Sequence, residues 1–342
     1  MKVAVDAMGG DNAPQVVVRG AVEAASEMGI DIILVGDKDV VGKELGPCLQ
    51  ENNISIHHCR EVVKMEEAPL KAVRKKRDSS IRVAFDLVKK GDVDAVVSAG
   101  NSGATLAAGI LTLGRLEGVE RPAIASIFPG EHGDVVLIDV GANVDCRPSH
   151  LFQFGIMAQA FAGSCLAMES PRIGLLSIGE EGSKGNEQVK MTRELFEQSH
   201  LNFVGNVEGR NVFTGDVDII VCDGFVGNVA LKIAEGVAEG MTKVLKDELA
   251  GSLRGRAAVL LGKGAFEKLR SRFNYEAFGG APLLGINGVG IVCHGGSTPR
   301  AIKNAIFMAA KYVGKGVLEK MAYQLKNFDS DSTPLLKNEP AA

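Results

Sequence analysis

Ala95-Val96-Val97-Ser98-Ala99-Gly100-Asn101-Ser102-Gly103-Ala104 passes from a short apolar run, through a turn bearing glycine and asparagine, into a helix-like stretch. The run is apolar at successive positions and rich in valine, the pattern of a strand covered on both faces in a parallel sheet. The same order of run, turn and helix recurs around Met8-Gly9-Gly10-Asp11, Lys184-Gly185-Asn186, Asp223-Gly224-Phe225-Val226-Gly227-Asn228 and His294-Gly295-Gly296-Ser297. A helix N-terminus offers unpaired backbone N–H groups and a partial positive charge. Five such turns therefore predict seats for phosphate or carboxylate, and an enzyme acting on an anionic small molecule.

Working outward, strands are expected at 3–6, 32–35, 54–57, 95–98, 124–128, 135–140, 173–178, 202–204, 219–222 and 289–293, with helices at 80–89, 104–116, 187–198, 229–249 and 299–313. This alternation predicts an α/β fold, a three-layer doubly wound and mostly parallel sheet. Loops at the carboxyl ends of such strands line the ligand crevice, so the five turns are expected to converge on one site. One catalytic domain is expected over 1–328, with a helical basic and apolar insertion around 250–278 and a flexible tail over 329–342.

The chain has 342 residues, 46% of them apolar and 23% charged, a soluble globular balance. No run approaches the roughly 20 apolar residues of a membrane span. The start, Met1-Lys2-Val3-Ala4-Val5, is too short for a signal peptide, so a cytoplasmic protein is expected. The six cysteines lack C-x-x-C spacing and the six histidines lack a helical metal-binding pair, so no metal is expected. A net charge of −4 argues against nucleic-acid binding. Two basic clusters stand out: Lys71, Arg74, Lys75, Lys76 and Arg77, then Arg254, Arg256, Lys263, Lys268, Arg270 and Arg272. Each reads as a solvated helix face or as a docking surface for an acidic partner or anionic membrane. The insertion around 250–278 is open between a membrane-surface helix and a helical pair at a dimer interface.

No stretch completes G-x-G-x-x-G, the P-loop pattern or G-x-S-x-G, which counts against the ordinary dehydrogenase, kinase and serine-hydrolase readings. Cys293 beside His294 suggests a thiol nucleophile, but neighbours on a strand point to opposite faces. His294 reads as a hydrogen-bonding residue for a ligand or as a structural one. Lys184 adds a full charge beside a helix start, and Asn101, Asn143, Asn186 and Asn228 occupy glycine-flanked turns, either as turn formers or as parts of a shared polar site.

Several runs in this order resemble the acyl-ACP:phosphate acyltransferase family (PlsX). They are Asp6-Ala7-Met8-Gly9-Gly10-Asp11 with Pro14, Ser98 to Ala104, Asp139-Val140-Gly141-Ala142-Asn143-Val144-Asp145, and Leu176 to Glu181 followed by Lys184-Gly185-Asn186. Gly205 to Arg210, Cys222 to Asn228, Gly279 to Gly285 and His294-Gly295 complete the set, which extends to about Val313. The resemblance implies a fold like isopropylmalate dehydrogenase and phosphotransacetylase, a homodimer, and transfer of a long fatty acyl chain from acyl carrier protein to inorganic phosphate for phospholipid synthesis. Ser102, Asn211 and Gly296 stand where the family often has Thr, Asp and Ser.

A thioester is already activated, so bound phosphate can attack it directly, without a protein nucleophile or a cofactor. Lys184, His294 and Asn228 are the catalytic candidates. Gly9, Gly10, Asp11, Asn101, Ser102, Gly103, Asn143, Gly185, Asn186, Asp223, Gly227 and Ser297 are the candidates for binding phosphate and substrate. The cluster Lys71 to Arg77 is the candidate docking surface for the acidic carrier, and 250–278 the candidate contact with anionic membrane. Two alternatives stay open: a short-chain phosphotransacetylase using acyl-CoA, and a noncatalytic scaffold for lipid-synthesis enzymes.

Overall fold

The chain begins with strand β1 (Lys2–Asp6) and lays ten more beside it: β2 (Asp31–Gly36), β3 (Ile54–His58), β4 (Ala95–Ser98), β5 (Ala123–Pro129), β6 (Asp134–Ile138), β7 (Ile173–Leu176), β8 (Phe203–Val207), β9 (Ile219–Val221), β10 (Ala281–Leu284) and β11 (Val289–Val292). The helices are α1 (Gln15–Met28), α2 (Lys38–Leu45), α3 (Pro69–Lys75), α4 (Ser80–Lys90), α5 (Ser102–Leu113), α6 (Pro148–Cys165), α7 (Glu187–Glu197), α8 (Asn211–Thr214), α9 (Gly224–Ala250), α10 (Pro299–Gly314) and α11 (Val317–Leu336). This computed structural model describes residues 1–46, 53–251, 262, 264 and 278–336. The basic and apolar insertion expected around 250–278, with Arg254 to Arg272, therefore lies almost wholly outside the described residues. The stretch read as a tail from Asp329 continues α11 as far as Leu336, because adding a residue to an established helix costs far less than nucleating one; residues 337–342 lie outside the described residues.

All eleven strands form one sheet in the order β3-β2-β1-β4-β11-β10-β5-β6-β9-β7-β8. Pairing is parallel except at β11–β10, β10–β5 and β5–β6. The sheet is thus two parallel blocks running in opposite directions, β3-β2-β1-β4-β11 and β6-β9-β7-β8, joined through β10 and β5. One apolar layer packs α1, α2, α6, α7, α10 and α11 on one face, with Phe154, Phe161 and Tyr312 fully buried. The other face carries α3, α4, α5, α8 and α9, with Phe85 at its centre.

β10 is the strand that periodicity did not mark. Ala281-Pro282-Leu283-Leu284 contains a proline, which lacks an N–H and is disfavoured inside a sheet. The strand is accommodated because Ala281 and Pro282 pair with β11 while Leu283 and Leu284 pair with β5. The reversal at β10, β5 and β6 divides the expected turns between two groups of strand ends. Turns after β1, β4 and β11 leave one edge of the sheet, whereas those after β6, β7 and β9 leave the opposite edge.

Candidate functional site

The first-edge turns close into a junction that only glycine permits. A Cβ on Gly9 would stand 2.6 Å from Asp6 Oδ2 and 2.8 Å from the Gly100 nitrogen. Gly10 adopts φ 111°, and the Asp11 N–H donates to the Gly295 carbonyl at 2.8 Å. Beneath the junction Asp6 is buried. It accepts the Ser98 hydroxyl at 2.7 Å and the Met8 N–H at 3.3 Å. Burial outweighs these donors and pushes its carboxyl above the usual range. The gap among Gly9, Gly10, Ala99, Gly295 and Ser297 is too small for a water-sized sphere, and Ser297 is itself buried. The start of α5 lies outside this junction.

There Asn101 caps the helix, its Oδ1 accepting the Ala104 N–H at 2.9 Å. Its amide donates to the carbonyls of Met65 and Glu67 at 2.7 and 3.2 Å. Ser102 is exposed, and Gly103 lies against Pro69 at the start of α3. With Asn101 and the Ala104 N–H occupied, the Ser102 and Gly103 N–H groups are the donors of the first turn that an anion would meet. His294 is exposed at the end of β11, and its Nδ1 accepts the Gly296 N–H at 3.1 Å. In the neutral ring this places the proton on Nε2, which becomes a donor. Cys293 is buried, and burial pushes its thiol up to about 12, so a thiolate nucleophile is lost at neutral pH.

At the opposite edge Asp139, directly after β6, is also buried. Its Oδ1 accepts the N–H groups of Ile124, Gly141 and Ala142 at 3.1, 3.2 and 3.0 Å, and its Oδ2 that of Asn143 at 2.7 Å. Burial raises this carboxyl too. Asn143 has a structural use: its amide donates to Asp139 and to the Pro122 carbonyl at 2.8 Å, and its carbonyl accepts the Gly224 N–H at 2.7 Å. Asp223 caps α9 by accepting the Val226 N–H at 2.9 Å, and Asn186 caps α7 by accepting that of Val189 at 2.9 Å. Asn228 is exposed beside Gly141.

Lys184 is exposed in a tight turn closed by its own N–H on the Glu181 carbonyl at 2.9 Å, and Gly185 follows at φ 98°. Asn206, buried on β8, holds this turn from below, donating to the carbonyls of Glu181 and Lys184 at 3.0 and 3.4 Å. Gln188 ties α7 to the turn after β6 through the Cys146 carbonyl at 2.6 Å. Two sets of predicted residues therefore emerge: Gly9, Gly10, Asp11, Asn101, Ser102, Gly103, His294 and Ser297 at one edge, and Asn143, Lys184, Gly185, Asn186, Asp223, Gly227 and Asn228 at the other.

Sequence reading passed over the two buried aspartates, although an Asp closing an apolar run is a visible signal. It also passed over Asn206 and the buried His150, which lies 3.1 Å from Glu120 in a group completed by Arg147. Of the basic cluster, Lys76 turns inward, 2.5 Å from Glu67 and 2.7 Å from the Val62 carbonyl, and holds the Glu67 carboxyl below its usual range. Lys71, Arg74, Lys75 and Arg77 are exposed, on a segment tied to the start of α5 through Asn101 and Pro69.

Solved structures share this fold at low sequence identity. A phosphotransacetylase from Streptococcus pyogenes has a TM-score of 0.63 and 18% identity, covering 92% of this chain and 94% of that one. A 4-hydroxythreonine-4-phosphate dehydrogenase from Klebsiella pneumoniae has a TM-score of 0.52 and 15% identity, covering 92% and 99%. Sequence relatives are nearer. A phosphate acyltransferase from Geobacter sulfurreducens is 54% identical over 327 residues, 95% of this chain and 94% of that protein. One from Geotalea uraniireducens is 55% identical over the same length. The family described as fatty acid synthesis protein matches residues 1–320. With nearly the whole fold inside that match, and more than half of its residues shared with phosphate acyltransferases, the chain belongs to the fatty acid synthesis protein family.

Proposed function

We propose that the protein transfers a long acyl group from acyl carrier protein to inorganic phosphate, giving an acyl phosphate for phospholipid synthesis. The observation that carries this reading is the closed junction at the first edge, where α5 presents the N–H groups of its first turn beside His294. Phosphate attacks the thioester carbon, the developing oxyanion is held by His294 Nε2–H and backbone N–H groups, and the carrier thiolate leaves. The exposed cations Lys71, Arg74, Lys75 and Arg77 sit beside this seat and suit an acidic carrier.

Lys184, with Asn186 and Asn228, is proposed to draw phosphate in from the second set of turns. Five strand steps separate β4 from β9, and a twist of roughly 20–25° per step accumulates to about 100–125°. Because the two blocks run in opposite directions, this twist leans both sets of carboxyl ends toward one face. That supports a shared cleft. A homodimer is proposed through α9, whose outward side carries Phe225, Val229, Ile233, Val237 and Met241 exposed at intervals of four. Among the described residues no helix is long and apolar enough to cross a membrane; a surface contact through 250–278 remains part of the proposal.

The test is phosphate-dependent loss of hexadecanoyl-carrier, with the acyl phosphate trapped as hydroxamate. Turnover is expected, with kcat lowered on the order of a hundredfold in His294→Ala and the KM for phosphate raised in Lys184→Ala. Product from acetyl-CoA but not from the carrier substrate would favour a short-chain phosphotransacetylase. Absence of product from both would favour the scaffold.

A further inference from the structure

Lys184 is exposed, yet both its backbone and its stem are held. The turn that carries it is closed by its own N–H on the Glu181 carbonyl, and the Asn206 amide donates from below to the carbonyls of Glu181 and Lys184, the two ends of that turn. Asn206 is only 5% exposed, and its Oδ1 has no hydrogen-bond partner among the described residues. A buried amide left half unpaired costs stability, and an apolar side chain at this place in β8 would avoid that cost. What the amide supplies in return is a fixed shape for the turn. The stem is seated separately. A Cβ on Gly179, in the loop after β7, would stand 3.1 Å from Lys184 Cγ and 2.9 Å from Glu181 Oε2, so the lysine lies against backbone that carries no side chain.

We infer that Asn206 and Gly179 are positioning residues for Lys184: the amide clasps its turn, the bare glycine seats its stem, and together they aim its ammonium at one place. The inference rests on the reading in which Lys184 draws phosphate in. A free lysine has many rotamers to lose when its ammonium is fixed on an anion. Here the fold has already removed part of that freedom. Both residues act through Lys184 and are not themselves offered as phosphate ligands.

Gly179→Ala adds one methyl against two flexible side chains, at a φ outside the left-handed region, so it displaces the stem and keeps the fold. Asn206→Ala removes the clasp without adding bulk. In each variant the KM for phosphate is expected to rise roughly three- to tenfold, the cost of ordering one long side chain at the moment of binding, while the KM for hexadecanoyl-carrier stays unchanged. Combined with Lys184→Ala, neither change is expected to raise it further, because the stem they act on is gone. Equal rises with and without Lys184, a loss of kcat alone, or an unchanged KM in both single variants overturns the inference. Should Asn206→Ala fail to fold, Asn206→Asp, of the same shape but without N–H donors, takes its place under the same criteria. An unchanged KM for phosphate in Lys184→Ala also overturns it, while turnover of hexadecanoyl-carrier by the wild type would leave the acyl-transfer reading standing, which separates the two failures.

Discussion

Gly227 lies where the first turn of α9 passes the end of β6, and a Cβ there would overlap the Asp139 carbonyl oxygen. The neighbour is backbone, so it cannot swing away as a flexible side chain would. Gly227→Ala is expected to destabilise the fold by about 3 kcal/mol and to displace Asn228 from Gly141, seen as a lowered Tm together with lost turnover. A variant as stable as wild type would show that the helix can slide at no cost. Residues of this kind were partly legible: Gly9, Gly10 and Gly227 stood out by type and position. Their reasons did not, because each depends on a distant backbone segment, Gly100 for Gly9 and Asp139 for Gly227. The turn asparagines show the converse. Their positions were plain in the sequence, yet Asn101, Asn143 and Asn186 direct side-chain groups at helix caps and loop carbonyls, leaving the adjoining backbone as the surface for a ligand.

Among the elements, α9 departs most from its sequence pattern. Its core-facing Ala230, Leu231 and Ala234 touch the sheet layer, while Ile233 and Val237 are 61% and 54% exposed. Ile233→Asp with Val237→Asp is expected to convert a dimer into a monomer in analytical ultracentrifugation, with the monomer still folded because neither side chain is buried. A dimer that survives both charges would locate the interface elsewhere. The start of this helix at Gly224 rather than Val229 was hidden by Gly224 and Gly227, poor helix formers that are retained here for close approach to the turn after β6. Strands rich in valine and isoleucine were legible almost to the residue; β10 was not, because its pairing is divided between two neighbours.

For the whole molecule, the parallel order within each block followed from the alternation of strand and helix, but the opposite direction of the blocks did not. That direction depends on which strands become neighbours, and β11 reaches β4 from nearly two hundred residues away. The first block is completed by the end of the chain: β11 pairs along β4, and α10 packs on α1 with Pro299 and Ile302 against Gly20. A fragment of residues 1–250 is therefore expected to lack a cooperative thermal transition, since Val17, Val18, Ala21 and Ala24 lose part of their cover. A sharp melt of that fragment would show that the first block folds alone. During synthesis the same arrangement imposes a delay. At about 5–20 residues per second, strand β4 emerges roughly 10–40 s before its partner β11, with one rim of backbone donors and acceptors unpaired. In a crowded ribosomal setting such a rim is a template for stray strands, so the yield of this protein should depend on chaperones that shield a nascent chain until its last hundred residues are out.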